Sequence, residues 1–373
     1  MAFPVGPANG ALTTINGTVY VYNSTNGSWA KQNVGAVTVT NDLTINGTLT
    51  ENGNLSVSGS LIPSSSFKRN RIINGSFDIW QRGTSFTSSS VNEYSADRWR
   101  TEGYSINSVI SQQTFTVGQT AVPGYPRYFC RVTTSSAPSN YWAFQQRIEC
   151  PQNINGDGTY TLSFWAKSVS GTIAAGTFNY GINDNSTYSN PAITTTWQKI
   201  SVTRTLSGIS ESSGYLSIYI VNIGTGVSSL SIDIANVQVE VGTSATPFER
   251  EIYSDTLAKC QRYLPAFNAG GSSNQTICAG AAYSTAAATF VYPFKVSARV
   301  SPTGISSTAA SNFSATNSSG SYVAATGIIY GGTSSTESGT FNLTGVSGLV
   351  AGGGTFAISS SSTGQILFTG CEL

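Results

Sequence analysis

Three stretches of this chain alternate strictly between two kinds of side chain, and that alternation limits what it can fold into. Tyr160, Leu162 and Phe164 interleave with Thr161, Ser163 and Trp165. Trp142, Phe144, Gln146 and Ile148 interleave with Tyr141, Ala143, Gln145 and Arg147. Leu216, Ile218 and Ile220 interleave with Tyr215, Ser217 and Tyr219. Successive side chains of a strand point to opposite faces, so one set in each stretch is core-like. The other set mixes aromatic and polar groups. Ser254 to Leu264 is the one convincing helix: Ser254 can cap it, Leu257 and Cys260 recur at helical spacing, and Pro265 stops it. The chain reads as all-β.

Charge agrees with this class. Only 9% of the 373 residues are charged, against roughly 25% in an ordinary globular chain. Ser, Thr, Asn and Gln must supply the polar surface. They and Gly are poor helix formers, while Thr, Val, Tyr and Phe suit strands. The 39 glycines furnish turns. A net charge of +1 gives no electrostatic case for nucleic acid or an anionic membrane. The absence of histidine removes Ser-His-Asp and Cys-His catalysis and ordinary zinc sites. No apolar run is long enough to cross a membrane as a helix. The opening MAFPVGPANG has neither the basic nor the apolar region of an export signal. A surface-type composition without such a signal is expected of a protein released by lysis.

Four regions follow from the patterning. In residues 1–34, Val19 and Val21 alternate with Tyr20 and Tyr22 before an Asn26-Gly27 turn, which predicts a hairpin. That module is too small to bury a core alone. In residues 35–66, Leu43, Leu49, Leu55 and Leu61 fall six apart, as do Gly47, Gly53 and Gly59. An even period puts the leucines on one face. Either three chains bury them along a common axis as a trimeric β-stalk, or one chain winds a short β-helix. Pro63 to Ser66 reads as a linker. Residues 67–250 carry the alternating strands of a β-sandwich, opened by Asn70 to Gly83 around the turn signal Asn74-Gly75, with Phe77 and Ile79 alternating inward. Ile232 to Val241 closes it. Residues 251–373 form a β-rich domain introduced by the short helix.

The five cysteines, Cys130, Cys150, Cys260, Cys278 and Cys371, show no metal-binding spacing, and an odd number argues against full pairing. Cys130 and Cys150 could lie on one hairpin about the turn Ala137 to Asn140 and form a disulfide. The alternative is buried thiols formed in a reducing cytoplasm.

Several motifs carry a family resemblance. NRIINGSFDIWQRG (Asn70 to Gly83), YSADRW (Tyr94 to Trp99), YTLSFWAKS (Tyr160 to Ser168), WQKISVT (Trp197 to Thr203) and SIDIANVQVEVGTSATPFER (Ser231 to Arg250) occur in order. Together they resemble a jelly-roll module of bacteriophage tail-fibre and related virion proteins, akin to carbohydrate-binding modules of galactose-binding-like fold. The N-terminal pattern around Tyr20, Tyr22 and Trp29 resembles short virion-attachment modules. AKCQRY and FKVSARVSPTG (Phe294 to Gly304) resemble the domain that follows the jelly roll. The leucine row points to a homotrimer, and the resemblance implies a fibre joined to other virion proteins through its N-terminus, made in the host cytoplasm. Related jelly rolls hold a structural Ca2+, which would fall on Asp78 and Asp233 here; otherwise these two hydrogen-bond nearby backbone. No other cofactor is implied.

Sugar recognition needs aromatic faces plus amide and guanidinium groups. The outward sets offer Tyr141, Gln145, Arg147, Trp165, Lys167, Tyr215 and Tyr219, on a face that either binds glycan or packs on another subunit. Asp97 and Arg98 are expected to form a buried pair beside Trp99. Three functions remain open: a non-catalytic fibre binding a cell-surface glycan, a small depolymerase cutting it, and a capsid decoration or head-fibre protein. Hydrolysis would need two carboxylates in an aromatic-lined groove.

Overall fold

In a computed structural model the chain divides into two compact units, Met1–Ile62 and Pro63–Leu373. The structure describes residues 3–15, 18–31, 68–88, 92–150, 158–182, 187–207 and 214–373. The row Leu43, Leu49, Leu55, Leu61 and the linker after Pro63 lie outside the described residues.

The first unit contains an antiparallel sheet of β1 (Leu12–Ile15), β2 (Thr18–Asn23) and β3 (Ser28–Lys31), in that order. The expected hairpin is β2–β3, and β1 adds a strand the alternation did not announce. Gly27 takes the left-handed backbone (φ +63°) that the tight turn requires. Tyr22 lies opposite Trp29. Phe3 stacks on Trp29 at 5.4 Å and meets Tyr20 edge-on at 5.0 Å, so one face of this small sheet is aromatic.

The second unit begins with a two-sheet sandwich. Its strands are β4 (Ser85–Ser88), β5 (Trp99–Gly103), β6 (Ser108–Thr114), β7 (Tyr128–Thr134), β8 (Tyr141–Glu149), β9 (Gly158–Ser168), β10 (Asn179–Ile182), β11 (Thr187–Ser189), β12 (Gln198–Leu206), β13 (Tyr215–Gly224) and β14 (Leu230–Val241). One sheet runs β11-β10-β13-β8-β5 and the other β12-β9-β14-β7-β6-β4. The alternating sets meet between them: Trp142, Phe144 and Ile148 from one sheet face Tyr160, Leu162, Phe164, Ile232 and Ile234 from the other. A bulge between Tyr219 and Val221 turns both Ile220 and Val221 into this core.

The opening segment departs from expectation, because residues 68–84 form no strand. Side-chain amides take the place of a ladder. Asn70 Oδ1 accepts from the amides of Ile72 and Val239 at 3.0 and 3.1 Å. Gln146 accepts from the Ile73 amide at 2.9 Å and donates to its carbonyl at 2.8 Å. Asn74, with φ +59°, donates to the carbonyls of Ile79 and Asp97. These bonds satisfy buried backbone that a strand would have paired. The apolar residues also divide: Phe77 enters the sandwich core, whereas Ile73 and Ile79 pack with Cys260 and Tyr263. Gly75 passes so close to β14 that a Cβ would sit 2.1 Å from the Val237 carbonyl oxygen.

Helix α1 (Tyr253–Gln261) leads into the rest of the unit. Its N-cap is Ile252, whose carbonyl already accepts from the amides of Asp255 and Thr256, so Ser254 lies inside the helix rather than capping it. Then come β15 (Ala266–Asn268), β16 (Gln275–Ser284), β17 (Ala287–Pro293), β18 (Gly304–Ser307), β19 (Phe313–Thr316), β20 (Tyr322–Ala324), β21 (Gly327–Tyr330), β22 (Ser338–Thr344), β23 (Gly354–Ser359) and β24 (Gln365–Thr369). They form a sheet β15-β24-β18 and a seven-stranded sheet β20-β19-β23-β16-β17-β22-β21. Phe290, Phe313, Phe341 and Phe368 fill the space they enclose.

The sandwich and this domain share a buried polar junction. Arg98 pairs with Glu372, donates to the Arg147 carbonyl at 2.6 Å, and lies 3.5 Å over the ring of Tyr263. Tyr263 donates to Glu149 at 2.7 Å. Arg82 adds a second contact to Glu372 at 2.9 Å. Asp97 instead accepts from the backbone amide and side-chain nitrogen of Gln81 at 2.9 and 2.6 Å. The expected Asp97–Arg98 pair is therefore not formed. The two sit in a tight turn before β5, closed by the Trp99 amide on the Ala96 carbonyl at 2.8 Å with Arg98 at φ +73°, and each side chain has its own partner.

All five cysteines are free thiols. Cys130 is on β7 and Cys150 just after β8, and these strands belong to opposite sheets. The turn at Ala137 to Asn140 crosses the sandwich instead of closing a hairpin within one sheet. Among the described residues no helix is long and apolar enough to cross a membrane.

Candidate functional site

The residues picked out by alternation do not form one face. Tyr141, Gln145 and Arg147 lie on β8, Tyr215 and Tyr219 on β13, and Trp165 and Lys167 on β9 of the opposite sheet. Alternation separates two faces of each strand but does not say which sheet the strand joins.

On the β8–β13 face the side chains close over one another. Gln145 has Arg100 of β5 and Tyr219 opposite it and is fully buried, and neither its amide nitrogen nor its oxygen has a partner. Arg147 stacks on Tyr215 at 4.0 Å and pairs with Glu102 at 3.1 Å. Tyr219 is buried, and Tyr141 stays 37% exposed beside Tyr104. On the other sheet, Trp165 is partly buried against Phe115, Phe129, Ala235 and Trp197.

Nor do Asp78 and Asp233 suit a shared Ca2+. Asp233 is fully buried and gripped by Arg131 at 2.7 and 3.0 Å, with Lys167 at 3.5 Å. A carboxylate already facing two cations opposes a third. Asp78 accepts from the Ser76 hydroxyl at 2.7 Å and lines a cleft in which Asp233 has no part. Among the described residues, no cluster of three or more Cys, Asp or Glu side chains gathers as metal ligands would.

That cleft, of about 790 Å³, brings aromatic and charged side chains around one open space. Four chain segments build it: Asp78, Trp80 and Thr84 from the opening segment, Gln112 from β6, Arg127 and Tyr128 at the start of β7, and Arg250 to Tyr253 leading into α1. Trp80 donates its indole N–H to the Phe77 carbonyl at 2.8 Å and stacks on Phe86 at 6.2 Å, which fixes its plane. Gln112 donates to the same carbonyl at 3.2 Å. Tyr253 is 61% exposed and presents a ring to solvent. Its phenol is held above its ordinary pKa, first by partial burial and then by Asp97 and Asp78.

The charged groups differ in how far they are already engaged. Glu251 pairs with Lys259 and accepts from Thr256 at 3.4 Å. Arg250 donates through Nη1 to the carbonyls of Gly124 and Tyr125 at 2.9 and 2.8 Å. It thereby anchors the loop before β7, with Asn236 holding the Pro123 carbonyl at 3.2 Å. The Arg127 guanidinium lies 4.9 Å from the centre of the Tyr128 ring.

None of these residues stands out by alternation, and Asp78 is singled out only by the family resemblance, as a Ca2+ ligand. Trp80 and Arg250 sit in family-like motifs and read as markers of the fold. The available signal was Pro-Gly-Tyr-Pro-Arg-Tyr at Pro123 to Tyr128: a turn sequence carrying aromatic and basic groups, as binding loops do.

Comparison with known proteins yields structural likeness only. No protein-family model and no curated protein matches the chain. A cyclase from Fischerella sp. TAU superposes with 13% identity over 47% of this chain and 98% of its own, at a TM-score of 0.33. The xylan-binding domain CBM22-1 from Paenibacillus barcinonensis does so with 13% identity over 43% and 94%, at 0.28. The enzymatically active domain of bacteriophage CBA120 tailspike protein 4 does so with 13% identity over 48% of this chain and 24% of its own, at 0.29.

Proposed function

We propose that this chain is a structural virion fibre that attaches to a host cell surface by holding a glycan, without cutting it. The cleft carries the reading. Trp80, Tyr128 and Tyr253 offer ring faces to the C–H faces of a pyranose, while Asp78, Gln112, Arg127 and Arg250 offer acceptors and donors to its hydroxyls. A mostly apolar wall with a few convergent polar groups is the usual form of a small-ligand site. The motifs of residues 67–250 supply the virion setting, and the N-terminal module the attachment to the particle. Three copies on a stalk formed by residues 35–66 would raise avidity by roughly 10²–10⁴.

The test is binding of the full chain to host cells and to a panel of soluble glycans. Tyr253→Ala removes an exposed ring and is expected to weaken binding with no change in melting temperature. Wild-type binding by both Tyr253→Ala and Arg127→Met would place the glycan site elsewhere.

One observation favours hydrolysis as a second reading: Asp78 and Glu251 line the same cleft. The ion pair of Glu251 with Lys259 and the Ser76 bond to Asp78 engage both carboxylates within the protein, which favours holding over cutting. Release of reducing ends from host polysaccharide, lost in Asp78→Asn or Glu251→Gln, would reverse that order.

A further inference from the structure

The cleft's charges are unequally satisfied, and the inequality selects among saccharides. Resting on the glycan-binding reading of this cleft, we infer that it takes a sugar bearing a carboxylate, with Arg127 as the group that receives the acid. Of the two lining carboxylates, Glu251 has Lys259 and Asp78 has the Ser76 hydroxyl. Among the described residues no carboxylate lies within ion-pair distance of Arg127 or Arg250. Arg250 spends donors on two loop carbonyls. Arg127 is exposed, and among the described residues its guanidinium has only the Tyr128 ring beneath it.

A guanidinium set over an aromatic ring face keeps its N–H donors for another partner. It leaves a fork that can bind a carboxylate through two parallel N–H···O bonds. The remaining lining is suited to the rest of an acidic sugar. Trp80 and Tyr253 offer faces for the ring, and Asp78 retains lone pairs for hydroxyl donors. A neutral sugar would meet the same rings but leave the Arg127 fork hydrated. The ligand class is therefore a uronic-acid or comparable carboxylated glycan, its acid group on Arg127 and its hydroxyls toward Asp78.

The experiment compares digalacturonic acid with neutral galactobiose of the same linkage, titrated calorimetrically into the full chain. The acid is expected to bind at least about tenfold more tightly, since charge-assisted bonds are the stronger kind. Added salt should weaken its binding far more than that of the neutral sugar. Arg127→Met should bring the two ligands to parity. Arg127→Lys, which keeps the charge but not the fork, should retain only part of the preference. Melting temperature verifies that each variant is folded. Equal affinities in the wild-type chain would overturn the acidic preference while leaving the saccharide site standing. A preference that survives Arg127→Met would overturn the role of Arg127. No binding of either sugar at millimolar concentration would count against both the preference and the saccharide reading of the cleft.

Discussion

Arg98 of the sandwich lies 3.5 Å over the ring of Tyr263, a residue just beyond α1 in the following domain. Burial alone would make an isolated guanidinium very costly there. Tyr263 and Glu372 together make the position tenable, so two domains share one charge network.

Removing Glu372 should therefore be severe. Arg98 is 1% exposed, and Glu372→Ala leaves it without its carboxylate. Breaking a buried pair from one side costs about 3–5 kcal/mol. A urea melt of the full chain should show a large fall in midpoint, and Glu372→Gln a smaller one because an acceptor remains. A midpoint unchanged in Glu372→Ala would mean that the junction adds little stability.

The junction should also set an alkaline limit. The Tyr263 hydroxyl is pushed up to about 12, by burial above all, with its bond to Glu149 adding and Arg98 opposing. An unfolded tyrosine loses its proton near pH 10. Between about pH 10 and 12 the folded state thus binds more protons than the unfolded state, and stability falls as pH rises. Below pH 10 the contribution is fully present. Urea midpoints measured across this range should decline in the wild-type chain and decline less in Tyr263→Phe.

Thiol chemistry gives a third check. Burial raises the pKa of all five thiols: Cys278 to about 12, Cys371 to about 11, and Cys130, Cys150 and Cys260 upward as well. Thiolate is the reactive form. At pH 8 the folded chain should react slowly with a thiol reagent. Unfolded without reductant, it should take up five equivalents. An uptake of three would reveal a disulfide.

Gly75 marks a close approach rather than a flexible joint. A Cβ there meets the Val237 carbonyl at 2.1 Å and Ile72 at 3.2 Å. Gly75→Ala should cost about 1–3 kcal/mol, the usual range for overpacking, read as a lower melting temperature.

Assembly is open to direct measurement. If the leucine row of residues 43–61 joins three chains, light scattering should give three times the 39.0 kDa chain mass. Leu49→Asn with Leu55→Asn should then yield monomers. A monomeric wild-type chain would remove the trimeric stalk.

Legibility in the sequence followed the range of the physics. Leu162 and Phe164 announced their burial because strand alternation is local, and β14 closed the sandwich close to where Ile232 to Val241 suggested. Phe77 is in the core as expected, but the strand expected around Ile73 and Ile79 is not formed, because the segment is fixed by Asn70, Asn74 and Gln146, whose bonds leave no periodic trace. The cleft was less visible still. Trp80, Tyr128 and Tyr253 come from three distant segments, and only tertiary packing sets their rings around one space.

The bond between Arg98 and Glu372 spans 274 positions of sequence. During synthesis the sandwich strands emerge first, with Arg98 among them and its counter-charge still unmade. At roughly 5–20 residues per second, Arg98 waits on the order of tens of seconds for Glu372. The sandwich can collapse in that interval, but the Arg98 corner cannot be sealed. A chain interrupted anywhere before Glu372 would carry that corner as an open, charged seam.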